Sequence, residues 1–453
     1  MSTSELHHPR TRPHKDIHAI HLELHERVSL PVPAPSRVRH SAYLLPDDSE
    51  ASRAEVRTAF YDVLAALGIA PQQAHQGQRA GSAEKRIAGG NTLRLRWELH
   101  TEFYSYTTIN IPGAQPVNGD EFVQPFRLPA FPTIGTKLID LDMLVVSGED
   151  MSDESRASLL QGTIYGGSVV NGAARAWTTF QVDEWAQARY VIAAGSLKPG
   201  RLGRLVSRLI DIETYYHLIL LPLVEYRGQV PLLRQMERRI GERSSEIAAA
   251  LTSREMDAEA EHQWLVYLTQ DLANLIQLTE RMRYRLSAAN SYFAIFEERL
   301  DWIREETGAG YQTMREFLIA RVSPAVRNYR NFIERADALT MQLTALGNMM
   351  RTRVNMSMEA QSLQTMQAMN KRVSLQLKLQ RTVEGLSLIV LSYYLTNLAH
   401  FVFEAAEPVL HLPGNPTVWA ALTIPLWLLL SFMITFRVKA QVRSADRDAR
   451  HEG

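Results

Sequence analysis

Three side chains in one short stretch have the types and spacing for proton or metal chemistry: Glu98, His100 and Glu102 alternate within TLRLRWELHTEFYSYTTIN. Read as one β-strand, the two-residue period places them on a pleated face with Arg94, Arg96, Tyr104 and Tyr106. Leu93, Leu95, Trp97, Leu99 and Phe103 fall on the opposite face. An imidazole between two carboxylates has a stabilised cation, or the three groups offer metal ligands. Same-face neighbours on a strand stand about 7 Å apart, so a metal would need further ligands from another segment. Glu23 and His25 in LELHER could supply them. The competing reading is a solvated, salt-bridged sheet face.

A second set lies far along the chain. Tyr393, Asn397, His400 and Glu404 follow one another at spacings of four, three and four, which aligns them on one helix face within a largely apolar run. Two roles compete, interhelical hydrogen bonds that hold an oligomer together and a stripe lining a water-filled path for ions or protons. Packing is favoured, because one Asn and one His suit a helix seam and no acidic residue sits at mid-depth. The glycine cluster in GTIYGGSVVNGAARAWTTFQVD, residues 162–183, lacks the Gly-Lys-Ser/Thr of a phosphate loop and the spacing of a dinucleotide fingerprint. Strand turns or bulges, with Trp177 and Phe180 packing a sheet, are its ordinary reading. No GxSxG, HExxH or paired zinc motif occurs, so the sequence designates no catalytic residue, no metal and no cofactor.

The composition narrows the classes further. Lys plus Arg and Asp plus Glu each number 49 in 453 residues, so no global field attracts nucleic acid, and no nucleic-acid partner is expected. The absence of cysteine excludes disulfides, thiolate metal sites and a cysteine nucleophile. Seven of the 14 histidines lie in the first forty residues, six of them in a polar segment without the apolar core of a secretory signal. That segment, 1–36, reads as a His-rich arm that stays in the cytoplasm.

The elements that must position these groups form a simple order. Residues 37–200 mix strands with short helices and read as an α+β head. Val38–Leu45 and Lys137–Val146 are expected strands, and SEASRAEVRTAFYDVLAALG an expected helix ending near Gly68. Gly89, Gly90 and Asn91 are expected to form the turn into TLRLRWEL. Residues 201–384 read as nearly continuous helix, punctuated at Pro222 and around Gly308 and Gly310. Expected antiparallel helices cover 232–251, 259–286 and 287–305, burying Trp264, Leu268, Leu272, Leu275, Phe293 and Phe296. A last helix begins near Ser323, with Pro324 in its first turn. It carries a seam of Leu339, Leu343, Leu346, Met350, Val354 and Met358, loosening into Leu363, Met366, Met369, Val373 and Leu377.

Residues 385–403 then bear no formal charge, and nineteen residues at about 1.5 Å each cover roughly the hydrocarbon thickness of a bilayer. A second uncharged run, 417–436, follows the short loop EPVLHLPGNP. The two read as a transmembrane hairpin, 385–436. Lys371, Arg372, Lys378 and Arg381 precede it, and Arg437, Lys439, Arg443, Arg447 and Arg450 lie in the basic tail 437–453. The stretch between the two runs holds Glu404 and Glu407 and no Lys or Arg, so the positive-inside bias puts both ends of the chain in the cytoplasm. The expected partners are the lipid bilayer, further copies of the chain and a cytoplasmic protein.

Five stretches together resemble one bacterial family of predicted membrane-anchored proteins, catalogued as domain of unknown function 3422. They are ELHERVSLPVPAPSRVRH, WELHTEFYSYT, GRLVSRLIDIETYY, RYRLSAANSYF and RTRVNMSMEAQSLQTMQAMNKRVSLQLKLQRTVEGLSLIVLSYY. The resemblance implies a cytoplasmic head, a helical arm and a membrane anchor, and carries no reaction or site residues. The layout is also loosely similar to the CorA magnesium channels. Where those channels carry a Gly-Met-Asn signature, this chain has FVFEAAEP. The leading expectation is a membrane-anchored, oligomeric binding or scaffold protein. A cation channel, and a metal- or acid-base-dependent enzyme in the head, are the alternatives.

Overall fold

The structure is a computed structural model that describes residues 14–17, 29–87, 90–113, 133–148, 151–184, 186–253, 258–308, 310–410 and 415–448. Glu23, His25, Gly89 and Arg450 lie outside the described residues. The chain divides into two compact units, Met1–Glu255 with Val266–Gly347, and Met256–Leu265 with Asn348–Gly453.

The first unit is built on a nine-stranded sheet. Its strands are β1 Ser36–Leu44, β2 Ala74–Gln76, β3 Ala80–Arg86, β4 Thr92–Leu99, β5 Phe103–Ile111, β6 Thr136–Val146, β7 Tyr165–Val169, β8 Ala174–Val182 and β9 Ala188–Ala193. Their order across the sheet is β2-β3-β4-β5-β1-β6-β9-β8-β7. All pairs are antiparallel except β6 with β9. Helix α1, Glu50–Ala66, is capped by the Ser49 hydroxyl accepting from the Ser52 amide at 3.2 Å, and it ends before Gly68 at φ +62°. It packs Val56, Phe60, Val63 and Leu64 against Leu95, Trp97, Leu99, Tyr104 and Tyr106 of the sheet. The Phe60 and Trp97 rings stack at 5.5 Å, and burying each contributes about 1.5–3 kcal/mol. A short helix, α2 Asp153–Leu159, follows β6.

TLRLRWELHTEFYSYTTIN is not one strand. Residues 100–102 turn the chain back, closed by the His100 amide donating to the Phe103 carbonyl at 2.8 Å, so that Leu99 pairs with Tyr104 and Trp97 with Tyr106. The turn inverts the parity of everything beyond it. Tyr104 and Tyr106 lie on the buried face with Trp97, and Phe103 joins the face of Glu98. The polar triplet His-Thr-Glu has the composition of a turn, whereas the aromatic run after it has that of a strand.

The glycine-rich stretch forms the hairpin of β7 and β8. Val170, Asn171 and Gly172 take positive φ at its tip, and a register shift lies between Thr178 and Val182 around Phe180. At Gly166, φ +115°, a side chain would meet the Ala176 carbonyl oxygen at 2.2 Å. The turn-and-bulge reading of these glycines holds, and Trp177 is buried as expected.

On the other sheet face lies α3, Pro199–Leu220, which buries Leu202, Leu205, Val206, Leu209 and Ile212. The chain breaks at Pro222 and continues as α4 Leu223–Ser253, α5 Ala258–Trp302 and α6 Met314–Leu410. Two sequence-based boundaries are corrected here. Helix α5 runs through 286 and 287 without interruption, since Leu286 and Ala289 are both buried on its apolar stripe. Helix α6 begins at Met314, so Pro324 sits in its interior, where buried Leu318, Val322, Val326 and Tyr329 hold the helix across the missing donor. Within the first unit consecutive helices run antiparallel, α4 tied to α5 by Asp271 with Arg239 and Arg243 and α5 to α6 by Asp337 with Arg283, and Glu237 with Arg335 ties α4 to α6. Leu268, Leu275 and Phe296 are buried as expected, while Trp264, Leu272 and Phe293 are half-buried. Of the expected stalk seam, Leu339, Leu343 and Met350 are buried within the chain, and from Met358 onward the seam residues are exposed.

The second unit holds the rest of α6, α7 Pro416–Leu422 and α8 Ile424–Asp448. The second uncharged run is thus two helical pieces. The break at Thr423 leaves Pro425 in the first turn of α8, where its missing N–H leaves no gap. Among the described residues two helical stretches, Met314–Ala406 and Thr417–Ile434, are long and apolar enough to cross a membrane by length and composition, with mean hydropathy 1.5 and 1.9 over their best windows. In these runs Ser392, Ala420 and Ser431 are the buried residues among those described, Leu388, Leu395, Phe403, Trp427 and Leu430 are half-buried, and most of the other large apolar side chains are exposed.

Candidate functional site

Register brings together residues that spacing alone separates. Arg96 on β4 pairs with Thr107 on β5, which pairs with His40 on β1, and one step along Glu98 pairs with Ser105. These side chains share the sheet face beneath α3. Gly203 admits close approach there, because a Cβ at that position would meet the Leu30 carbonyl oxygen at 2.0 Å. The 29–32 segment therefore lies directly against the start of α3, held by the Val32 amide donating to the Pro199 carbonyl at 3.0 Å.

Between sheet and helix is a cavity of about 310 Å³. His40, Arg96, Glu98 and Thr107 border it from the sheet, Arg208, Asp211 and Thr214 from α3, and Arg299 from α5. The Arg96 guanidinium donates to Glu98 at 2.8 Å. Asp211 accepts from Arg208 at 2.9 Å and from Arg299 at 3.0 Å. Burial pushes the Asp211 carboxyl above the usual carboxylate range, opposed by those two guanidiniums and reinforced by the Glu98 charge.

His40 is only 3 % exposed. Its Nδ1 lies 2.8 Å from the Thr107 hydroxyl, and its Nε2 is buried with no hydrogen-bond partner. Loss of hydration pulls its pKa from 6.5 to about 4, with Glu98 and Asp140 opposing and His100 and Arg96 reinforcing the drop. The ring is therefore neutral at neutral pH.

Of the residues singled out from sequence, Glu98 and His100 border this cavity, and His100 stacks on Phe103 at 4.1 Å. Glu102 instead engages α5, where Arg285 reaches it at 3.4 Å. A hydrogen bond to Glu102 raises the pKa of Tyr284, and burial followed by the Glu102 charge raises that of Tyr292. The turn at 100–102 separates the three groups, and among the described residues no three His, Asp or Glu side chains are arranged to hold a metal ion. His40, Asp211 and Arg299 were not singled out from sequence. His40 carried one usable signal, since it shares the apolar parity of β1 with Val38 and Ala42. On α6, Tyr393, Asn397, His400 and Glu404 fall along one side as spaced, with His400 Nδ1 3.8 Å from a Glu404 oxygen.

A family profile described as a protein of unknown function (DUF3422) matches residues 12–442. No curated protein and no solved structure matches the chain.

Proposed function

The chain belongs to the DUF3422 family, and from that membership and its geometry we propose a membrane-anchored binding module. In this reading the two uncharged runs sit in the bilayer, the sheet-bearing unit lies on the cytoplasmic side, and copies of the chain assemble through α6. The observation that carries it is the exposure of Leu386, Ile389, Leu398, Phe401, Leu422, Leu426, Leu429 and Phe432, each at 60 % or more. A contiguous apolar surface of this kind needs lipid or another protein. Basic residues flank both runs, and Ser392, Ala420 and Ser431 are small enough to let helices approach closely. The sheet cavity is the binding element of the module. Because the chain has no cysteine, Thr365→Cys is a unique reporter of sidedness. It should resist a membrane-impermeant maleimide in intact cells and react after permeabilisation, whereas labelling of intact cells contradicts the proposed orientation.

A second reading, cation conduction, is favoured by one feature, the row Tyr393, Asn397, His400 and Glu404 along the first run. It requires flux in reconstituted vesicles that falls in Glu404→Ala. Vesicles without flux exclude it.

A further inference from the structure

The cavity between the sheet and α3 has more cationic than anionic lining. Three arginines, Arg96, Arg208 and Arg299, border it against two carboxylates, Glu98 and Asp211, and His40 adds no charge. Formal charge on the lining arginines and carboxylates is therefore one unit positive. The hydrogen bonds leave donors over. Arg208 gives one N–H to Asp211 and its buried Nε has no partner. Arg299 gives Nε to Asp211 and Nη1 to the exposed Glu298. The buried Nε2 of His40 is unpaired on the sheet side.

An unsatisfied polar nitrogen away from water costs about 1–3 kcal/mol, and two of them, Arg208 Nε and His40 Nε2, belong to residues that line this cavity. A guanidinium fork matches the paired oxygens of a carboxylate or phosphate, and in a partly enclosed site its attraction for such a group exceeds that at the open surface. A volume of 310 Å³ falls within the range of small-molecule sites.

We propose that this cavity binds a small oxyanion, a carboxylate or phosphate group facing Arg208 and Arg299, with His40 as a neutral hydrogen-bonding partner on the sheet side. The assignment deepens the binding-module reading and rests on it only for the role of the head. Maleimide labelling of Thr365→Cys tests the anchored orientation and titration tests the cavity, so either can fail alone. Ser207 on α3 adds a hydroxyl to the lining, and Arg96, held by Glu98, adds a guanidinium on the sheet side. A cation would meet the excess guanidinium charge.

The test is isothermal titration of the full chain in detergent, dialysed free of small anions, with sodium phosphate, sodium acetate and ethylammonium chloride at matched ionic strength. Saturable binding of phosphate or acetate at one site per chain is expected, with affinity falling about tenfold in Arg208→Gln and in Arg299→Gln. Ser207→Phe, which fills the cavity from the helix side without removing a charge, should abolish it. Arg335→Gln, on an ion pair elsewhere in the helices, should bind as the native chain does. Preference between the two anions identifies the group. Absence of saturable heat with both anions, preference for ethylammonium, or unchanged anion affinity in Ser207→Phe overturns the assignment.

Discussion

His40 enters the folded state as a neutral ring, and that has a sign. Its folded pKa is about 4 against 6.5 unfolded, so between those values the unfolded chain binds a proton that the folded chain refuses. Stability is full above pH 6.5 and falls as pH drops towards 4, by about 1.4 kcal/mol per unit at most. Urea unfolding followed by tryptophan fluorescence should show a loss of about 2 kcal/mol between pH 7.5 and pH 5 that is absent in His40→Gln. Equal pH slopes in the two proteins would contradict the neutral ring. On the opposite sheet face, Arg37 donates to Asp142 at 2.7 Å and 2.5 Å, both side chains under 10 % exposed, with Arg189 farther off at 3.6 Å. Arg37→Met should cost about 3 kcal/mol by leaving a buried carboxylate with one distant partner, and adding Asp142→Leu should recover most of it. If the double variant is as unstable as the single one, the cost lies in packing and not in the stranded charge.

At the scale of elements, the strands β1 and β6 and the helix α1 were legible because alternation and capping are local. The hairpin of β4 and β5 was not. Alternation reports parity, and the turn at His100, Thr101 and Glu102 reverses parity without interrupting the hydrophobic pattern, so alternation alone puts Tyr104 and Tyr106 on the wrong face. The candidate site was half legible for a related reason. Glu98 and His100 are close in sequence, but His40, Asp211 and Arg299 arrive on β1, α3 and α5, and no spacing rule joins three such distant segments. One contact between elements is testable. Gly203 lets α3 touch the 29–32 segment, and Gly203→Ala would drive a methyl into the Leu30 carbonyl. The expected cost is about 1–3 kcal/mol, read as faster hydrogen exchange at the Val32 amide, which bonds to Pro199. Unchanged exchange would mean that the segment does not depend on that contact.

For the molecule as a whole, the long helix α6 changes character along its length. Its first part is anchored by buried Leu318, Val322, Tyr329 and Leu343, whereas Leu363, Met366, Met369 and Leu377 are all more than half exposed. If copies assemble along that exposed row, Met366→Cys in native membranes should form a disulfide-linked dimer under mild oxidation, and exposed Gln364→Cys on another side of the helix should do so less. A monomer in both would count against assembly through α6. The apolar runs beyond this row are the feature on which the membrane reading turns, because hydrocarbon is the solvent that suits their exposed Leu, Ile and Phe side chains. Its most direct test is high-speed sedimentation of a lysate containing the intact chain, after an alkaline carbonate wash and before any detergent. The chain should stay in the pellet and pass to the supernatant only when detergent is added, and recovery in the detergent-free supernatant would contradict the account.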